Sequence, residues 1–135
     1  MAKIALTNPL VSIGGVDLSA WVTNVTLDTK YDIIETTTFG STAKTRVAGL
    51  ADNSVSIDFI QDFGTSAVEQ TIYPLLATAA AVIVKPNNAA NSSTNPQYSF
   101  SALVSDWTPL KGAVGQLSTA TVTWPISGAI TKAIV

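Results

Sequence analysis

The chain has 135 residues with no Cys and no His, and seven Lys and Arg against nine Asp and Glu give a formal charge of −2. A disulfide framework, a thiol nucleophile, an imidazole base and a zinc site with nitrogen or sulfur ligands are therefore excluded. The length fits a single domain, residues 1–135, because about 100 to 150 residues is the commonest domain size.

The composition is poor in charge for a soluble domain. Charged residues make up 12% of the chain, hydrophobic residues 47%, and the mean hydropathy is +0.35. The usual charged share is about 25%, and a free monomer needs charge to stay soluble. The balance favours a subunit whose surfaces are covered by copies of itself, and an ordinary neutral β domain remains the alternative.

Neither a targeting signal nor a membrane span is expected. The first residues, Met1 to Pro9, contain no long apolar stretch and no small-residue cleavage site, so we expect a mature cytoplasmic product. The longest apolar run, Leu75 to Val84, has about ten residues, whereas roughly 20 are needed to cross a bilayer. This run is predicted to be a core segment.

Alternation of apolar and polar residues, the signature of strands with one buried face, dominates the chain. Val55, Ile57 and Phe59, for example, alternate with Ser54, Ser56 and Asp58. Strands are predicted within 10–13, 22–30, 33–39, 53–63, 81–85, 98–105 and 119–124.

One segment has the period of an amphipathic helix instead. Val68, Ile72, Leu75, Leu76 and Ala79 follow an i, i+4, i+7, i+8, i+11 stripe. The spacing of Ser66 and Glu69 predicts a capping box at the helix start. Pro74 predicts a kink or break, because it lacks an amide hydrogen and clashes with the preceding turn.

Two stretches have the composition of long loops: residues 39–53, with Gly40 and Gly49, and residues 86–97, rich in Asn, Ser and Pro. The predicted fold is mainly β: an antiparallel β-sandwich or partly closed barrel. One α-helix flanks it at about residues 66–78, and one long loop spans about residues 39–53.

The motifs that could carry catalysis or metal binding are weak. Ser41 and Lys44 match a Ser-x-x-Lys pattern, but its companion motifs are missing and the segment is predicted to be a loop. Asp58 and Asp62 share a strand face yet lie about 13 Å apart by strand geometry, too far to act as a pair or bind one ion. We expect no enzyme, catalytic residue, metal or cofactor.

Other binding signals are equally limited. Trp21, Trp107 and Trp124 fit core packing or interface burial better than stacking platforms for a base or sugar. Asn24 and Asn91 begin glycosylation sequons, which we attribute to chance. The dispersed Lys and Arg residues form no basic stripe for gripping a duplex.

Over nearly its whole length the chain resembles the major tail tube proteins of long-tailed, siphovirus-type bacteriophages, particularly the short versions from phages of actinobacteria. The resemblance is carried, in order, by five segments. They are Gly15-Val16-Asp17-Leu18-Ser19, Thr37-Thr38-Phe39-Gly40 with Thr45-Arg46-Val47-Ala48-Gly49-Leu50, Ile72-Tyr73-Pro74-Leu75-Leu76, Asn95-Pro96-Gln97-Tyr98, and Val122-Thr123-Trp124-Pro125-Ile126-Ser127-Gly128. Gln116 departs from the pattern, since an acidic residue is expected after Gly115.

The resemblance implies a β-sandwich subunit with a flanking helix, six to a ring, the rings stacked into a virion tube through which DNA passes. The expected partners are copies of itself and the tape-measure, tail-tip and tail-terminator proteins, with assembly in the host cytoplasm. The long loop is expected to contact the adjacent ring through Phe39, Gly40, Lys44, Arg46, Val47 and Leu50, and to be ordered on stacking.

A lumen that lets DNA slide needs hydroxyls and acidic groups and no lysines, because lysines would hold phosphates by counterion release. The polar strand faces have this chemistry. The predicted lining residues are Thr26, Asp28, Ser56, Asp58, Thr119, Thr121 and Thr123.

Two other functions stay open at this point. One is a head-to-tail joining ring or a capsid decoration protein, which also use small β-rich subunits. The other is a monomeric carbohydrate-binding or adhesin-like module that exposes Trp21 or Trp107.

Overall fold

The computed structural model of the chain describes residues 5–135, so the expectations about Met1 to Ile4 lie outside the described residues. Within them the chain forms nine strands, one short α-helix and two 3₁₀ helices. The strands are β1 (Leu10–Ile13), β2 (Val16–Asp17), β3 (Val22–Asp28), β4 (Tyr31–Glu35), β5 (Arg46–Ala51), β6 (Ser54–Ile60), β7 (Ala79–Lys85), β8 (Gln97–Leu103) and β9 (Thr119–Ala133). The helix α1 is Val68–Ile72, and the 3₁₀ helices are Ser19–Trp21 and Tyr73–Leu75.

Seven strands form one curled antiparallel sheet, a half-barrel in the order β2-β1-β7-β8-β9-β6-β3. The long strand β9 joins its two halves: residues 119–125 pair with β6, and the later residues pair with β8. The remaining strands, β4 and β5, form a separate two-stranded sheet. This architecture confirms the predicted fold class.

The core lies inside the curl of the sheet. The apolar members of the alternating segments, including Val55, Ile57, Val122 and Trp124, are fully or almost fully buried. Each such side chain contributes about 1.5 to 3 kcal/mol by leaving water. Burial of one face leaves the alternate residues of the same strands to form the outer surface.

The helical segment is shorter than predicted. The α-helix ends at Ile72, and a 3₁₀ helix containing Pro74 follows, which confirms the predicted break. The capping box is wrong, because Ser66 has a φ of +59° and the Glu69 amide donates to the Asp62 carbonyl at 3.2 Å. The Glu69 carboxylate instead accepts hydrogen bonds from the Trp107 indole, at 2.7 Å, and from the Gln61 amide, at 3.2 Å.

The long loop is also shorter than the predicted span of 39–53. Its second half, Arg46–Ala51, is strand β5, which pairs with β4 in an antiparallel hairpin. The preceding strand ends at Glu35 rather than near Phe39. Alternation reports burial, and this hairpin is exposed to solvent along nearly all of its length, so the sequence pattern could not reveal it.

The last strand extends far beyond its predicted end at residue 124. β9 continues to Ala133 past Gly128, whose φ of +90° accompanies a register shift against β8. A positive φ costs glycine little, so the strand can bend there and cross from one half of the sheet to the other.

Candidate functional surfaces: the polar face and the arm

The outward side chains of β3, β6 and the first half of β9 form one surface, the polar face. Thr26 lies opposite Ser56, which lies opposite Thr123 on the next strand. The neighbouring row contains Asp58 with Thr121. The polar members of this face are Asn24, Thr26, Asp28, Ser54, Ser56, Asp58, Thr119, Thr121 and Thr123, and the apolar Ile60 and Pro125 lie opposite Thr119 and Ser54. The structure therefore brings all seven predicted lining residues together on one face.

The polar face combines hydroxyl groups with two carboxylates. The Thr123 hydroxyl donates to Ser56 Oγ at 3.3 Å, linking β9 to β6. Asp28 is exposed and Asp58 is half-buried, and no member of the set carries a positive charge. Such a surface repels phosphate groups weakly and offers them no cation to bind.

A second outward feature, the arm, consists of residues 31–51: β4, β5 and the connection between them. It continues the β3–β6 pair, because the Asp52 amide donates to the Lys30 carbonyl at 2.8 Å. The buried Asn53 supports this junction by accepting from the Lys30 amide through Oδ1 at 3.1 Å. One long hairpin thus extends from the domain and ends in the arm.

The tip of the arm is held by local hydrogen bonds. The Thr36 amide donates to the Thr45 carbonyl at 2.8 Å, and the hydroxyls of the same residues lie 2.8 Å apart. Near its base, the strands approach closely at Gly49. A Cβ built there would lie 3.1 Å from Ile34 Cδ1 and 3.3 Å from Asp32 Cβ, so a larger residue would require these neighbouring side chains to shift by a few tenths of an ångström.

The arm exposes large hydrophobic side chains. Leu50 is 82% exposed, Ile33 is 73% exposed, and Phe39 at the tip has no shielding at all. Ile34 and Val47 lie directly opposite each other and are each about half exposed. Nothing else in the described residues covers these side chains, and an exposed apolar patch of this kind marks an interaction surface.

The residues predicted to contact an adjacent ring all lie on this arm. Phe39, Gly40 and Lys44 are in the connection, whereas Arg46, Val47 and Leu50 belong to β5. Ile33 and Tyr31 were missed: Ile33 lies in the strand predicted at 33–39, and Tyr31 falls between the strands predicted at 22–30 and 33–39. Asn24 and Ser54 were also missed from the polar face, although Ser54 is in phase with Ser56 and Asp58 and was recognisable on that basis.

The tryptophan and aspartate residues considered as binding or catalytic candidates have structural roles in the fold. Trp107 is buried edge-to-face against Phe59, with ring centroids 5.7 Å apart, and its N–H is bonded to Glu69. Half-buried Trp21 donates to Asp62 Oδ2 at 2.8 Å, and that carboxylate also accepts from the Gly64 amide. Neither tryptophan offers an open stacking platform, and Asp62 does not pair with Asp58.

Two further observations concern the described residues only. Within 5–135, no three Asp or Glu side chains gather closely enough to hold a metal ion. In the same part of the chain, no helix has the length and apolar character needed to cross a membrane.

Comparison with known proteins identifies solved structures with a similar fold. No protein-family model matches the chain, and no curated protein matches it either. Among solved structures, it is similar to a chain of the sheath/tube terminator of an extracellular contractile injection system, PVC, in the extended state. The TM-score is 0.72 at 14% identity, and 98% of this chain and 97% of that chain are covered.

Two further structures are similar over almost their whole length. One belongs to the virion of a native gene transfer agent particle, with a TM-score of 0.71, 10% identity, and 96% and 98% of the two chains covered. The other belongs to the PVC sheath–tube complex, with a TM-score of 0.71, 12% identity, and 98% and 93% covered. The chain therefore has a fold found in the tail and tube assemblies of phage-like particles.

Proposed function

We propose that the chain is the repeating subunit of a tail tube, of the kind found in siphovirus-type bacteriophages. Six copies form a ring, rings stack into a tube, and the tube conducts DNA during ejection. The observation that carries the proposal is the arm, which projects large hydrophobic side chains that the rest of the described chain leaves uncovered.

The arm supplies the contact between rings. Ile33, Phe39 and Leu50 are exposed in the isolated subunit, and covering them in the assembly is favourable because each Å² of apolar surface removed from water contributes about 25 cal/mol. An arm at one end of a subunit and its receptor elsewhere form a head-to-tail contact, which repeats without limit along an axis. Lys44 and Arg46 are exposed on the same arm and add charged contacts to this surface.

The polar face lines the lumen in this proposal. Its hydroxyls and its two carboxylates, Asp28 and Asp58, leave DNA without fixed cations along the wall. Phosphate binding is driven by Lys and Arg displacing counterions, so a wall without them allows the polymer to pass. The action is mechanical and electrostatic, and no covalent bond is made or broken.

The proposal extends to partners and place. A tube of this kind works in the virion and is assembled in the host cytoplasm. It requires a tape-measure protein inside, a tail-tip complex at one end and a tail terminator at the other. Support for partners at the tube ends comes from the likeness to a sheath/tube terminator and to a chain of a baseplate, the latter with a TM-score of 0.58 and 8% identity.

A second candidate is a ring that ends or joins the tail rather than building its length. The likeness to a sheath/tube terminator favours it. The two roles differ in the number of rings that stack along the tube axis. A tube subunit stacks on both sides of its ring, whereas an end ring presents a stacking surface on one side only.

Electron microscopy of the purified chain across concentration, with light scattering after size-exclusion chromatography, tests the proposal. A tube subunit is expected to give rings that grow into hollow tubes. An end ring gives single or paired rings that do not grow, and a monomer at every concentration contradicts both roles.

A further inference from the structure

We propose that residues 109–118, the end loop, form the receptor for the arm of a copy in the adjacent ring. This inference rests on the proposed function and names the surface on which the arm docks. It is carried by the anchoring of the end loop, by its exposed apolar side chains and by its place in the fold.

The end loop is irregular but anchored at its base. Residues 104–118 connect β8 to β9 without a helix or strand, and a connection of this length is uncommon unless it has a function. Gln61 holds both ends of the end loop: its backbone amide donates to the Ser118 carbonyl at 3.0 Å, and its side-chain amide donates to the Pro109 carbonyl. The Ser118 hydroxyl also donates to the Lys111 carbonyl at 2.8 Å. The end loop therefore has a defined shape.

The end loop exposes three large aliphatic side chains. Leu110 is 80% exposed, Leu117 is 65% exposed and Val114 is fully exposed. Val114 lies in a turn that is closed by the Gln116 amide, which donates to the Ala113 carbonyl at 3.0 Å. Among residues 5–135, nothing covers these three side chains. A loop that is both anchored and apolar has the properties of a docking surface.

The end loop and the arm lie at opposite ends of the same strand. β6 begins at Ser54, just after the arm, and ends at Ile60, next to Gln61 and the base of the end loop. The strand has seven residues, which separates its two ends by about 20 Å. A contact that repeats along an axis needs two different patches on each subunit, one at each end. The arm and the end loop meet this requirement.

One face of the arm matches the end loop in chemistry. Ile33 and Ala48 lie directly opposite each other, so they share a face of the arm, and Leu50 follows on that face by strand alternation. Leu110 and Leu117 offer the end loop's counterpart. An aliphatic face thus meets an aliphatic loop, the combination expected at the fully buried centre of an interface.

Docking of the arm on the end loop gives stacking a direction. Each ring uses its arms on one side and its end loops on the other, so one end of the tube presents free arms and the other presents free end loops. Contact between two arms would instead join two rings and stop. Growth beyond two rings therefore requires the end loop.

Mixing two defective variants tests the docking directly. Ile33→Ser/Leu50→Ser removes the apolar face of the arm, and Leu110→Ser/Leu117→Ser removes that of the end loop. All four side chains are exposed, so circular dichroism and a Tm within about 5 °C of wild type should show intact folds. Electron microscopy is expected to show unstacked rings from each variant alone. The mixture is expected to give pairs of rings and no longer stacks, because only one arm surface and one end-loop surface are intact.

The outcomes separate the docking from the proposed function. Tubes of wild-type length from Leu110→Ser/Leu117→Ser contradict the docking and leave the tube role standing. Ring pairs from that variant alone show that arms bind arms and also contradict the docking, as does a mixture whose rings stay unstacked. A wild-type chain that forms no rings or tubes contradicts the tube role and the docking together.

Cross-linking provides the second test, because the chain has no native Cys. Leu50→Cys/Leu117→Cys keeps a small apolar side chain at both positions, and thiols in a packed contact are within reach of a short bis-maleimide. Assembled tubes are expected to give a ladder of cross-linked species. The matched control Leu50→Cys/Leu103→Cys, with its second thiol on an exposed position of β8, is expected to give none. Equal ladders from the two pairs, or no ladder from the Leu117 pair, would overturn the docking.

Discussion

Glu35 and Arg46 lie opposite each other at the last paired position of β4 and β5, towards the tip of the arm. At the next position, the hydroxyls of Thr36 and Thr45 are hydrogen-bonded to each other. Arg46 is thus a cross-strand partner within the arm, and in the proposed tube it also offers a charge to the adjacent ring.

Arg46→Glu is expected to spare folding and to weaken ring stacking. Like charges opposite each other cost about 0.2 to 1 kcal/mol locally, too little to unfold the domain. Sedimentation of tubes beside circular dichroism measures both effects. The charge swap Glu35→Arg/Arg46→Glu again places opposite charges across the two strands. If stacking recovers in the swap, the loss in Arg46→Glu came from a distorted arm and not from a missing contact between Arg46 and the adjacent ring. Unfolding of Arg46→Glu would show that the arm is part of the structural core.

Ile33→Ser/Leu50→Ser is expected to abolish tube growth while leaving the subunit folded. Both side chains are exposed in the subunit, where such substitutions change stability by about 0.5 kcal/mol or less. Electron microscopy at matched concentration counts the tubes. Tyr73→Ser, an exposed apolar-to-polar change outside the arm, is the control. Normal tubes from the double variant would show that these arm residues are not part of the stacking surface.

Asp28→Lys and Asp58→Lys are expected to leave tubes intact and to make them retain DNA. A lysine on the lining binds phosphate with counterion release, and each such contact adds about 0.7 to 0.9 to the slope of log affinity against log salt. Co-sedimentation of DNA with tubes at several salt concentrations provides the slope, and slower DNA delivery is expected in particles. Asp106→Lys makes the same charge change away from the polar face. Retention by that control alone would place the lumen elsewhere.

Glu69→Ala is expected to destabilise the domain by about 1 to 3 kcal/mol, because it leaves the buried Trp107 N–H without its acceptor. Glu69→Gln keeps a carbonyl acceptor and should cost less. Urea unfolding followed by tryptophan fluorescence compares the two variants. Equal losses would mean that the carboxylate charge, rather than the hydrogen bond, is what matters.

The polar face was predictable from sequence because strand alternation records burial directly. Thr26 alternates with half-buried neighbours, Ser56 and Thr121 alternate with buried ones, and the pairing register of the sheet then aligns them. The sequence could not say which way this face points in an assembly, since the subunit's own core defines only its inner side.

The arm and the helix start were less predictable for opposite physical reasons. Residues 46–51 form a strand whose apolar side chains are not buried within the chain, so periodicity carried no signal. At the helix start, the local Ser66 and Glu69 spacing was correct for a capping box. Tertiary partners overrode it, since Trp107 and Gln61 take the carboxylate.

A helical reconstruction of the assembled chain by cryo-electron microscopy tests the central claim most directly. The account predicts stacked rings forming a hollow tube, with Thr26, Asp58 and Thr121 facing the lumen and the arm packed against the adjacent ring. A tube whose lumen is lined by the opposite half of the sheet, or an assembly with no continuous channel, would contradict it.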